Sequence, residues 1–188
     1  MRFSALTFLT SAIFSKLSNA EVGDDEGGEN CLKSCPAGED EKKEEMGDHC
    51  YYWSTVTKTW EYSKYHCEGE GGHLAAVTSL EIHNFLMQKV NTETARYRTW
   101  FWIGGSEQGT EGIWEWEDGS EWEFTKWANK TIQQPNNDRP DHDFLQIHIC
   151  TSAHLHICTS ASNGWNDNQC SKHYQFICSW KICSGCEN

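Results

Sequence analysis

The apolar positions of the chain change their spacing along its length, and each change predicts a different kind of element. Residues 3 to 14 form an apolar run behind Arg2, whereas residues 21 to 48 are dominated by Glu, Asp, Gly and Lys. The stretch TSLEIHNFLMQKV (78–90) puts Ile82, Phe85, Leu86 and Val90 on one face of a helix, with Thr78 and Glu81 spaced as a capping box. A shorter helix is predicted in TWEYSKYHCEGEGG, where Trp60 and Cys67 share a side and glycines close the end. From Trp100 onward, as in WFWIGGSEQGTEGIWEWEDGSEWEFTKW, short aromatic runs are broken by Gly, Asp and Asn, which predicts strands and tight loops. Helices early and strands late imply an α+β domain.

The chain has 188 residues, 13% of them aromatic and ten of them Trp, enough to fill the core of one domain. Residues 1 to 20, with Arg2, the apolar run and the small residues Ser18 and Ala20, read as a cleaved signal peptide. The run is too short for a membrane span, and no later stretch suffices for one. Residues 21 to 34 read as a solvated acidic arm. Losing Arg2 and Lys16 with the signal makes the formal charge of −13 more negative still, which disfavours nucleic acid and anionic membrane surfaces as partners. Ten cysteines in a secreted, extracellular chain read as disulfides, whose connectivity spacing alone does not give.

One internal repeat stands out: IHICTSA at 147–153 recurs as LHICTSA at 155–161. It multiplies histidines (His148, His154 and His156, near His142), but no thiolate or carboxylate accompanies them at zinc-site spacing, so the repeat reads as a duplication. The CSGC tail at 183–186 lacks the strand-to-helix setting of a redox pair. No triad or carboxylate pair has a context that argues for hydrolysis, and the chain reads as a binding module, not an enzyme.

An ordered set of landmarks then resembles the C-type lectin-like domain over about residues 35 to 180. It comprises CP at Cys35, CYYW at Cys50, GGHLAAV from Gly71, WIGG from Trp102, WEWEDGS from Trp114, WNDNQC from Trp165 and FIC ending at Cys178. The form is similar to short secreted lectins of fish mucus or serum and to antifreeze and venom relatives. The resemblance implies two helices with small antiparallel sheets, a long ligand-binding loop, core roles for the WIGG and WEW tryptophans, and disulfides Cys67–Cys178 and Cys35–Cys50. The family cysteine after the long loop falls on Phe144, so Cys170 loses its usual partner. Cys150 or Cys158 can replace it, and Cys158 is favoured as the nearer in the chain.

The resemblance also implies a Ca²⁺ and sugar site formed by Gln134, Asn136, Asn166 and Asp167. The family loop reads EPN in mannose-type and QPD in galactose-type sites; here it reads QPN. Six residues after Asn136, where the family has Glu, stands His142, a poor ligand for so hard a cation, so Asp141 or Asp143 is expected to substitute. Weak Ca²⁺ binding follows. Three amides offer one hydrogen-bond donor too many for a pair of vicinal hydroxyls, which leaves the choice between galactose and mannose open, with Gln134 tilting it toward galactose.

Glycans on cell or microbial surfaces are the expected partners, in innate defence or agglutination. The competing reading keeps the fold but gives it Ca²⁺-independent sugar binding or a non-sugar ligand, antifreeze-like or protein-binding. Asn129-Lys130-Thr131 is a glycosylation acceptor near the loop. After the expected pairings Cys31, Cys183, Cys186 and one repeat cysteine remain, three of them on the terminal segments, the tail being residues 181 to 188. They allow a disulfide-linked homo-oligomer, against a monomer in which Cys31 pairs with a tail cysteine.

Overall fold

A computed structural model describes residues 22–24, 30–32, 34–35, 43–93, 99–107, 110–128, 134–136, 142–149 and 164–183. The signal segment, Asn129, Asp141, Cys158, His154, His156 and Cys186 lie outside them, as do the side chains of Val90 and His148. The elements are β1 (Val22–Asp24), β2 (Asn30–Leu32), β3 (Lys43–Met46), β4 (His49–Trp53), α1 (Trp60–Gly69), β5 (His73–Leu74), α2 (Leu80–Glu93), β6 (Thr99–Ser106), β7 (Glu115–Trp116), β8 (Phe144–Ile149), β9 (Gly164–Asn168) and β10 (Gln175–Lys181). The α+β class is as expected.

The main sheet runs β3-β4-β10-β6-β8-β9, with β5 paired to β10 and β7 to β6. Its pairings are antiparallel except where β10 lies parallel to β6. Gly47, at φ +64, supplies the positive-φ position of the two-residue turn that brings Met46 opposite His49. β10 is the last strand in sequence but sits between β4 and β6, so the chain closes on itself, and Cys67–Cys178 and Cys35–Cys50 staple that closure with Cα separations of 5.5 Å each.

Both expected helices form. Thr59 caps α1 through its side chain, and Trp60, Ser63 and Cys67 are its buried face. The N-terminus of α2 is one residue later than the Thr78–Glu81 spacing suggested: Ser79 Oγ accepts the Ile82 N–H at 3.1 Å, and Ser79 O accepts the His83 N–H. Either hydroxyl could serve as cap, and Ser79 does; Leu86 is fully buried, with Ile82 and Phe85 packed at the core margin. Trp60 and Trp102 lock α1 to β6: the Trp60 indole donates to Ile103 O at 2.9 Å and the Trp102 indole to Lys58 O at 3.0 Å. Trp102, Trp114 and Trp116 are core, as expected of the WIGG and WEW stretches. Phe144 fills the place of the family cysteine with its ring 4.8 Å from that of Trp60.

The termini differ from the expected solvated arm and loose tail. β1 and β2 form a small antiparallel sheet, Leu32 bridges to Ile182, and the Cys183 N–H donates to Leu32 O at 2.7 Å. Cys183 is buried and disulfide-bonded, which removes it from the thiols that can reach another chain.

Candidate functional site

The long-loop residues converge at the end of the β8–β9 pair. Leu145 stands opposite Asp167 and Gln146 opposite Asn166. Trp165, one residue earlier, fixes β9 from behind: its N–H donates to Lys126 O, its carbonyl accepts from Ala128, and its ring packs among Trp116, Trp122, Phe124 and Trp127. Asp167 is thereby held buried, about 1% exposed, at the rim of an aromatic core.

The loop closes onto this carboxylate. The Asn136 N–H donates to Asp167 Oδ1 at 3.1 Å, and His142 Nδ1 lies 3.5 Å from Asp167 Oδ2. Asn166 Nδ2 donates to Asp167 O at 2.7 Å. The Gln134–Pro135 peptide is cis, and Gln134 Oε1 is buried without a hydrogen-bond partner. Asn136, His142 and Asn166 thus each contact Asp167, and Gln134 precedes Asn136 by two residues, while Asp141 lies outside the described residues. Asp143 is described, but it turns to different company.

That company was not foreseen. Glu107 follows directly on the bulged end of β6 and donates its N–H to Asp143 O at 2.8 Å; Glu111 follows in the turn whose Ile113 N–H reaches Thr110 O. One ligand atom from each of Glu107, Glu111 and Asp143 lies within 4.8 Å of the others. Glu107 is 5% exposed, and neither of its carboxylate oxygens meets a hydrogen-bond partner in bonding geometry. Burial raises its pKa, and the charges of Glu111, Asp143 and Asp167 raise it further against a small opposing effect of the Gly112 backbone. A buried carboxylate beside two others is a donor set that could hold a hard cation such as Ca²⁺. The signal available in the sequence was the SEQGTE stretch, with two acids four apart just beyond the WIGG strand.

The lectin C-type domain family matches residues 56–180, which span both the loop and the acidic trio. The chain belongs to the C-type lectin domain family. It is 29% identical over 146 residues to the type-2 ice-structuring protein of Hemitripterus americanus, covering 78% of this chain and 74% of that one. It is also 29% identical over 153 residues to an alpha-N-acetylgalactosamine-specific lectin of Patiria pectinifera, covering 79% and 84%. Among solved structures, a calcium-independent type II antifreeze protein superposes with a TM-score of 0.60 at 25% identity, covering 80% of this chain and 96% of that one.

Within this C-type lectin domain the two clusters differ in donor chemistry. The trio is all carboxylate. The loop set holds one carboxylate, three amides and an imidazole, and that is a poor donor set for Ca²⁺. Cys170 is half-buried beside Phe144 and Trp60, while Cys150 and Cys158 lie outside the described residues. No described helix is long and apolar enough to cross a membrane.

Proposed function

We propose that this C-type lectin domain is a secreted, cation-assisted carbohydrate-binding module and not an enzyme, weak at each site and directed at glycans of cell or microbial surfaces. The observation that carries the reading is the buried, unbonded Gln134 Oε1 on a loop pinned to Asp167. A buried amide oxygen left unmatched costs roughly 1–3 kcal/mol, and a cation shared with Asp167 would recover it. Gln134, Asn136, Asn166 and Asp167 would then orient a vicinal diol, each hydroxyl giving one lone pair to the ion. Ca²⁺ would sit in the Glu107, Glu111, Asp143 trio, neutralise Glu107 and stiffen the loop through Asp143.

Gln134 tilts the choice toward galactose-type sugars, in keeping with the specificity named for the starfish relative. Innate defence and agglutination suit weak sites made multivalent, since linked copies gain about 10²- to 10⁴-fold in avidity. A second reading is favoured by the contact of His142 with Asp167 and by the likeness to a calcium-independent antifreeze fold. In it the imidazole takes the cation's place, and the loop binds a sugar or a non-sugar surface without metal. A glycan array with and without chelator separates the two. Signal lost in chelator supports the first; signal indifferent to chelator supports the second.

A further inference from the structure

We infer that the loop site of this domain takes Zn²⁺ in preference to Ca²⁺, with His142 as the ligand that sets the choice. The inference rests on the reading of the loop as a cation site. Two donors on one tetrahedral Zn²⁺, with bonds of about 2.0–2.1 Å, stand ~3.4 Å apart. His142 Nδ1 and Asp167 Oδ2 are 3.5 Å apart, so the two side chains are already spaced to share the ion. Gln134 Oε1 is buried and unbonded two residues before Asn136, whose N–H is held by the same carboxylate, and would supply the third donor. The fourth position is left for a water or a sugar hydroxyl, which is the open arrangement of a zinc site that binds a ligand.

Donor softness decides between the ions. Ca²⁺ needs six to eight oxygens and gains affinity from carboxylate charge, whereas imidazole nitrogen suits Zn²⁺. Replacing a carboxylate by His142 costs Ca²⁺ a charged ligand and gives Zn²⁺ its commonest one. The support around the ligands is of the kind zinc sites use: Asp167 Oδ1 accepts the Asn136 N–H, which fixes the carboxylate with Oδ2 toward His142. The all-oxygen trio of Glu107, Glu111 and Asp143, whose ligand atoms lie within 4.8 Å of one another, suits Ca²⁺ better than the loop does. On this inference one imidazole directs Zn²⁺ to the loop and leaves Ca²⁺ to the carboxylates.

Equilibrium dialysis of the full chain against Zn²⁺ alone and Ca²⁺ alone, with bound metal counted by elemental analysis, tests this. The expected result is Zn²⁺ binding that His142→Ala weakens by at least about tenfold. His142→Glu should weaken Zn²⁺ similarly and tighten Ca²⁺. A double variant, His154→Ala with His156→Ala, should leave Zn²⁺ binding as it was. Zn²⁺ binding unchanged by His142→Ala, or lost only in the double variant, overturns the inference. Should His142→Ala lose its near-UV circular dichroism, ¹⁵N-histidine NMR of the wild-type chain decides instead: Zn²⁺ must shift the His142 ring nitrogens, and an unmoved His142 overturns the inference equally. Glycan binding is read separately. Zn²⁺ at His142 with no glycan signal removes the sugar reading and leaves the zinc site standing; glycan binding restored by Ca²⁺ but not by Zn²⁺ does the reverse.

Discussion

The backbone N–H of Asn136 donates to Oδ1 of Asp167 at 3.1 Å, joining two segments 31 positions apart in the chain. The QPN loop is therefore shaped by the carboxylate of the WND segment. Asp167→Ala should abolish chelator-sensitive glycan binding and cost about 1–3 kcal/mol of stability by leaving the Asn136 N–H unmatched. Asp167→Asn keeps an acceptor for that N–H and removes only the charge. It should lose binding while retaining most of the stability, as read by glycan binding alongside urea unfolding.

Glu107 makes a prediction with two signs. Its raised pKa means that the ionised form is disfavoured in the fold, by burial first and by Glu111, Asp143 and Asp167 next. Its contribution to the metal-free protein is fully present below the unfolded pKa of about 4.3 and is lost as pH rises through the folded value. At pH 7 Glu107→Gln should therefore raise the thermal midpoint of the metal-free protein. The same variant should remove the rise in midpoint that Ca²⁺ gives the wild type. Differential scanning calorimetry with and without Ca²⁺ checks both.

His83 works in the opposite direction. It is 2% exposed on α2, and burial, then the charge of Lys126, lowers its pKa to about 4. The folded state resists protonating it, so stability present above pH 6.5 is lost as pH falls through the folded value. The loss from this residue is about 3 kcal/mol by pH 4. His83→Gln should flatten that part of the pH profile, measured as the difference in unfolding free energy between pH 7 and pH 4.5 for variant and wild type.

The cysteines bear on assembly. Cys183 is buried and disulfide-bonded, so we propose Cys186 as the tail cysteine that links chains, and avidity gives such a link a purpose. The protein, folded under oxidising conditions, should run as a dimer on a non-reducing gel and as a monomer after reduction. Cys186→Ser should remove the dimer band. A monomer without reductant contradicts the linkage.

Elements with a strong local period were legible before any coordinates. Leu86 with Ile82 and Phe85 announced α2, and Trp60 with Cys67 announced the inner face of α1. The one-residue shift of the α2 cap arose because Thr78 and Ser79 are both competent caps, and the local sequence does not choose between them. The approach of Asn136 to Asp167 was legible because the QPN and WND motifs are short and ordered. Glu107 and Glu111 were not grouped with Asp143, since the β6–β8 pairing that joins them is a long-range contact with no local signature. The docking of Leu32 on Ile182 was hidden for the same reason: one apolar residue in an acidic arm carries no period.

The claim that matters most is that the Asp167 loop binds glycans through a cation. It is tested most directly by a glycan array of the folded, secreted chain, in divalent metal and in chelator, with Asp167→Asn in parallel. The predicted result is binding to a galactose- or mannose-type class that disappears both in chelator and in the variant. Binding that survives both treatments, or a folded wild-type protein that engages no glycan in the presence of Ca²⁺ and Zn²⁺, contradicts it.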